Sequence, residues 1–508
     1  VTTIPDGYEW VTDDDGNTTL QPGNYQAFIK YGTKWTYFKT LQDAVNEAAD
    51  DGKTIIWLNK DIDNFEGIEI TRSLIINFNS HTITGASGVS VLKITGATVK
   101  LTADSKGVGG INGGSNGNNR AIWVGKDADV TVERGTYTVG GDASGLGNST
   151  ILVTDNGKVT IKGGTFSSEK PYDGKYYVLN LQNGCAGTIT VKGGKFLNFD
   201  PIKGDDNDGG NFCGTNTGIT KNSEGYYVAQ ASMSIQIVDA DGGSVKAYTA
   251  KKAATAFADV QDGQTIKLLQ DTSVSAALTI DADKKVTLDL NGKKLSTSYR
   301  ADDPTKHYYA IDNYGTFTLK DSSTEQTGEI RARGIENLEG GTMVIESGKI
   351  VAVDDGGAAI WNEANTTLTI QGGTFVAEYV GASSDEHGPG CVYSKGTLTI
   401  SGGTFESANK RTYAVISESG TVTIDPAEGK NVTISGAHGG VGINGGKATI
   451  NGGSYDSTDC YGLYVSSDVE TATVTVNGGT FNGKEYSVLI GSDGPQDVTS
   501  KLTITDGT

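Results

Sequence analysis

Four short segments place groups that could do chemistry at one common spacing. The runs "AAIW" at 358, "CVY" at 391, "YAVI" at 413 and "VGIN" at 441 align on Ile360, Val392, Val415 and Ile443. Five residues before these anchors stand Asp355, His387, Lys410 and His438, and Asp354 and Glu386 precede the first two of them. Trp361 and Tyr393 follow the first two anchors. Carboxylates, imidazoles and an ammonium along one edge suit hydrogen bonding to a sugar or a peptide, and the two rings suit stacking. The column works only if the segments lie side by side, roughly 5 Å apart as neighbouring strands do. Against this stands a plainer reading, in which turns accept any polar residue and these groups are simply solvated. No two carboxylates in the column can be given separate acid and base roles, so it does not by itself define a catalyst.

What would hold the segments side by side is a repeat. "LTIQGGTF" at 368 returns as "LTISGGTF" at 398, "VTVNGGTF" at 474, "VTIKGGTF" at 159 and "ITVKGGKF" at 189, with "ATINGGSY" at 448 a looser copy. Leu368 and Ile370 alternate with Thr369, the pattern of a strand with one buried face. The glycine pair that follows can turn the chain sharply through positive φ, and Thr374 and Phe375 begin a second strand. Gly163 and Gly193 are 30 residues apart, as are Gly372 and Gly402, while Gly452 and Gly478 are 26 apart. A period in this range denotes a solenoid or a propeller, and a propeller blade needs about 40 residues or more. Three short strands per period make one coil of a parallel β-helix, whose coils stack like residue on like residue. Phe375, Phe405 and Phe481 are expected to stack inside it.

A longer repeat encloses the short one. "DGKTIIWLNKDI" at 51 matches "DGQTIKLLQDT" at 262, and "LIINFNSHTIT" at 74 matches "VTLDLNGKKLS" at 286. Asn79 and Asn291 in these segments read as structural, since asparagine accepts left-handed turns and can bond to the next coil. Before each match lies an amphipathic helical pattern. In the first, Phe38, Leu41, Ala44, Val45 and Ala48 share a face; "AKKAATAFADV" is its weaker counterpart. A helix there would cover the open end of a coil stack. The fold expected is therefore all-β: two right-handed parallel β-helices in tandem, each with a short N-terminal capping helix, at 25–232 and 233–508. "GITKNSEGYYVAQ" at 218 closes the first, and "GYEWVTDDDGNTTLQ" at 7 reads as the same closing element ending a preceding unit over 1–24. The chain is accordingly expected to be a slice of a longer array.

"TLDLNGKKL", "LTISGGTF" and the "GYYV" closer resemble the tandem, pectate-lyase-like β-helix modules of large adhesin-like surface proteins of Gram-positive bacteria. The resemblance covers nearly the whole chain and is specific for architecture, which does not fix activity. It implies secretion and display on the bacterial cell surface, as a non-catalytic adhesin or stalk that binds a host protein or glycan.

Composition narrows the alternatives. The 508 residues carry a net charge of −20. Nucleic acid is a poor partner for such a surface, and no apolar run is long enough to cross a membrane. The chain is expected to be a monomer within its longer parent. A carbohydrate-active enzyme, either polysaccharide lyase or glycoside hydrolase, is the main alternative. Of a polygalacturonase-like set, the paired Asp354 and Asp355 and the His-Gly steps at His387 and His438 occur, but neither Asn-Thr-Asp nor Arg-x-Lys does. A phage-type receptor-binding fibre is a third reading, without trimerisation heptads to support it. The acidic runs "TDDDGN" and "GDDNDGG" lack the distal glutamate of an EF-hand loop, so no cofactor is expected beyond weak structural calcium. Cys185, Cys213, Cys391 and Cys460 form no CxxC pair; only Cys185 and Cys213, about one coil apart, are spaced for a disulfide.

Overall fold

A computed structural model describes all residues except 1–3, 6, 13–15, 17, 116, 141–147, 172–173, 205–209, 355, 379–389, 467–469 and 492–498. The protein is nearly all-β and forms a parallel β-solenoid, with two α-helices among the described residues, α1 (Leu41–Glu47) and α2 (Ala253–Asp259). The chain divides into two compact units, Val1–Ser232 with Gly242–Lys246, and Met233–Asp241 with Ala247–Thr508.

Each unit stacks coils of three strands into three parallel sheets. In the second unit the first sheet runs from Thr265–Leu268 to Lys501–Ile504, the second from Thr272–Val274 to Thr480–Asn482, and the third from Leu278–Ile280 to Tyr486–Gly491. The first unit begins its three sheets at Ile55–Leu58, Ile62–Phe65 and Ile68–Ile70. Register follows the sequence repeat. Leu368 lies opposite Leu398, Thr369 opposite Thr399 and Ile370 opposite Ile400. Leu368, Ile370, Leu398 and Ile400 are fully buried.

The two glycines of each corner have different reasons to be there. The second takes the left-handed conformation, with φ +102° at Gly373 and +121° at Gly403, a region closed to most side chains. The first does not. A Cβ at Gly402 would stand 2.5 Å from the Gln371 carbonyl oxygen, and one at Gly193 would stand 2.3 Å from that of Lys162. The first glycine is needed because the preceding coil passes too close.

Phe375, Phe405 and Phe481 are all buried, though not as one column. Phe375 stacks on Phe405 at 4.7 Å and Phe481 on Tyr455 at 4.6 Å. Ile434 is the register partner of both Phe405 and Tyr455 and separates the two stacks. The first unit has its own column, Tyr137, Phe166 and Phe196, with ring centroids 5.2 and 5.1 Å apart.

The starts of the units are covered by helix and strand together. Thr40 caps α1 by accepting from the Asp43 N–H, and Leu41, Ala44 and Val45 turn inward. Ala253, Ala256 and Phe257 do the same in α2. Sequence reading missed the accompanying strands. Ala27–Tyr31 pairs antiparallel with Ile55–Leu58, and Ile235–Val238 pairs antiparallel with Thr265–Leu268. They occupy the ladder groups that a first coil leaves open. In the first unit Gly218–Lys221 and Tyr226–Gln230 form an antiparallel hairpin whose second strand pairs with Gly194–Leu197. Tyr8–Thr12 and Thr18–Pro22 form another antiparallel pair.

All four cysteines are free, so no disulfide joins Cys185 to Cys213. Among the described residues no helix is long and apolar enough to cross a membrane. The acidic runs at 12–17 and 204–210 fall largely outside the described residues.

Candidate functional site

The third sheet of the second unit is built on a three-residue rule. Its strands Ile311–Asn313, Ile335–Asn337 and Ile360–Asn362 each begin with a buried isoleucine and end with a fully buried asparagine. Alternation sends the middle residue to the outer face. The asparagines bond to one another along the stack: Asn313 Nδ2 donates to Asn337 Oδ1 at 2.7 Å, Asn337 Nδ2 to Asn362 Oδ1 at 2.8 Å, and Asn362 Nδ2 to Ser394 Oγ at 3.0 Å. This inner ladder fixes the register in which the outer residues meet.

Those outer residues are, coil by coil, Asp312, Glu336, Trp361 and Tyr393. The indole of Trp361 and the ring of Tyr393 lie 4.3 Å apart at 32°. Trp361 Nε1 donates to Glu363 at 2.7 Å, and Lys395 Nζ lies 3.5 Å from Glu363 while sitting over both rings at 5.7 and 5.6 Å. One indole face is thus given to Tyr393, so Trp361 acts partly as a rung of the stack.

Asp312 opposite Glu336 is, among the described strand pairs, the only register pair that joins two acids. Glu336 is pushed up to about 7, first by burial and then by the Asp312 charge, against the pull of Arg333. Burial also raises Asp312. The Arg333 guanidinium lies 5.3 Å from the Tyr309 ring and donates to the Gly356 carbonyl at 3.3 Å. Burial lifts the Tyr309 hydroxyl as well, with the Glu336 charge second. Chemically, the face offers two facing carboxyl groups, a guanidinium and a ring pair within a few coils.

The column aligned from sequence is only partly brought together. Ile360, Val392 and Val415 are in register as expected. The fourth anchor is not, because Val415 pairs with Val441 and not with Ile443. A slip of two residues keeps every side chain on its own face, and Val441 and Ile443 are both buried, so apolar pattern alone does not separate the two alignments. His438 therefore does not stand at the offset of the others. Its ring meets Tyr413 edge-on at 5.2 Å and its Nδ1 lies 3.6 Å from Cys460 Sγ. Lys410 is exposed in the turn before Tyr413–Ser417. Asp354 is buried, takes the His307 backbone N–H, and lies 2.6 Å from His307 Nδ1. Asp355, Glu386 and His387 lie outside the described residues, as does most of the long loop "EYVGASSDEHGPG" at 378–390.

Sequence reasoning missed Asp312, Glu336, Arg333, Tyr309 and His307. A signal existed in the triplets "IDN", "IEN" and "IWN" at 311, 335 and 360, whose shared final asparagine marks equivalent strands. Asn79 and Asn291, read as structural, are so: both take positive φ, and each donates to a backbone carbonyl of the preceding coil, Leu58 at 3.1 Å and Leu268 at 2.9 Å.

No protein-family model, curated protein or solved structure matches this chain.

Proposed function

We propose that this chain is a non-catalytic, extracellular part of a bacterial cell-surface adhesin or stalk, made of two right-handed β-helices in tandem. Its second unit binds a host glycan or protein along the face of Asp312, Glu336, Trp361 and Tyr393. One observation carries the reading: acid faces acid beside an indole there, the only such register pair among the described strands, whereas several other outer acids lie against a cation. Glu69 has Lys93, Glu133 has Lys100, Glu363 has Lys395 and Glu378 has Arg331. A solenoid surface that needs only solubility has no reason to bury a like-charged pair. The sequence resemblance to surface adhesin modules supports the extracellular setting. The test is a glycan and serum-protein panel probed with the whole chain and with a Trp361→Ala, Tyr393→Ala double variant. A binder that loses about tenfold or more in affinity for the variant is the expected result, as for an aromatic anchor. A binder indifferent to the variant would place recognition elsewhere.

A carbohydrate-active enzyme is the second reading, favoured by one specific observation. With Glu336 raised to about 7 beside Asp312, the pair supplies an acid and a base at neutral pH. New reducing ends or unsaturated products from a polysaccharide, absent with Glu336→Gln, would establish it.

A further inference from the structure

Asp312 and Glu336 face each other on consecutive coils, which sets their side chains on the same outer face about 5 Å apart at the strand spacing. Two ionised carboxylates cannot hydrogen-bond, because both only accept. Asp312 Oδ1 is buried and receives no donor among the described residues. A buried acceptor without a donor is uncommon in folded proteins, and a protonated carboxyl on the facing Glu336 would supply one. We propose that Asp312 and Glu336 hold one proton between them across two coils, and that this proton operates a pH-sensitive charge switch on the third face.

The surroundings set the working range. The strand before Asp312 presents uncharged Thr279, and the strand after Glu336 presents Trp361. Arg333 draws protons away from Glu336, while Asp312 and Glu363 favour the protonated form. Arg333 also engages the Tyr309 ring and the Gly356 carbonyl, so its charge is divided. Burial and the Asp312 charge prevail, and the balance falls at about 7. Below that the pair carries one negative charge and is hydrogen-bonded. Above it two like charges stand on adjoining coils beside the indole. The asparagine ladder on the inner side of the same strands contains no group that titrates in this range, so the backbone stays in register and the switch is confined to the outer face. Recognition of a charged partner there would follow pH across the neutral range, as it does for a titrating histidine. The inference concerns the pair alone and does not depend on the face binding anything.

Trp361 makes the switch observable. The other tryptophans, Trp10, Trp35, Trp57 and Trp123, belong to the first unit, and Trp361 is the register neighbour of Glu336. The experiment is fluorescence of the whole chain from about pH 4 to about pH 9, with a Trp361→Phe variant subtracted to leave the Trp361 signal. The expected result is one transition centred near 7. It should vanish in Glu336→Gln and move acidward by about one pH unit or more in Asp312→Asn. Both substitutions mimic the protonated acid in shape; circular dichroism confirms folding, and either variant alone decides the question if the other fails to fold. No transition, one centred near the ordinary glutamate value, or one that survives in Glu336→Gln overturns the proposal.

Discussion

The third sheets of the two units are built alike and finished differently. In the first unit the outer residues run Glu69, Lys93, Trp123, Leu152 and Asn180. Lys93 lies 3.3 Å from Glu69 and 5.2 Å from the Trp123 ring, and Thr95 donates to Glu69 at 2.8 Å. These hydrogen bonds, from Thr95 first and Lys93 next, hold Glu69 below the ordinary glutamate range. In the second unit the run is Thr279, Asp312, Glu336, Trp361 and Tyr393, and burial and a like charge move Glu336 the other way. The inner side differs as well. Ile94, Val124 and Val153 of the first unit are apolar where the second has Asn313, Asn337 and Asn362. The comparison teaches that coil stacking fixes positions and leaves their chemistry open. In one unit the acid of the run faces a lysine on the next coil; in the other it faces a second acid.

The core is where the units should behave alike, and the effects there are the largest. Phe166→Ala and Phe405→Ala each remove a fully buried ring from a stack. Each should cost about 3–5 kcal/mol in urea unfolding of its own unit. A loss below about 1 kcal/mol for either would mean the ring is not core.

The inner ladder should separate the units next. Asn337→Ala removes the donor to Asn362 and the acceptor for Asn313; these keep Thr366 and the Gly315 and Thr342 carbonyls, so the cost falls chiefly on the Gly341 and Thr367 carbonyls that lose the Asn337 amide, at about 1–3 kcal/mol each. Roughly 3 kcal/mol is expected in the transition of the second unit, with that of the first unchanged. A near-neutral result would show that water replaces the side chain and that the ladder does not set the register.

A smaller effect, opposite in sign between the units, comes from pH. Glu336 has a folded value of about 7 against an ordinary 4.5. Between these values the folded state keeps a proton that the unfolded chain has lost, so stability of the second unit falls as pH rises through this window. About 2 kcal/mol is expected, discounted for partial exposure, and Glu336→Gln should abolish the fall. Glu69 is shifted downward, so its contribution is present above the ordinary value and is lost as pH falls through the folded one. Its side chain is 49% exposed, which limits the effect to about 0.5 kcal/mol or less. Urea midpoints of the two transitions at several pH values measure both slopes; parallel slopes would erase the distinction between the faces.

The coils were legible in the sequence because stacking forces residues to repeat. The period, the alternation in "LTI" and the corner glycines all have one cause, and each reappears in the structure. The glycine pair was legible as a corner but not as two constraints, since closeness to Gln371 or Lys162 is a property of the neighbouring coil. The antiparallel cover strands at Ala27–Tyr31 and Ile235–Val238 occur once per unit and so give no repeat to detect. Trp361 and Tyr393 were found because an aromatic stands out in a polar chain. Asp312 and Glu336 were not, because each alone looks like a solvated acid, and only a register counted through intervening loops reveals that they meet. Asp354 was selected as part of an open column and is instead buried against His307.

The central claim is that one face of the second unit, and not its counterpart in the first, is a recognition surface. The measurement that tests it most directly compares Trp361→Ala with Trp123→Ala in the whole chain, against the tightest partner from the glycan and serum-protein panel. The account expects affinity to fall about tenfold or more for Trp361→Ala and to stay unchanged for Trp123→Ala. Equal losses for the two, or a loss confined to Trp123→Ala, would contradict it.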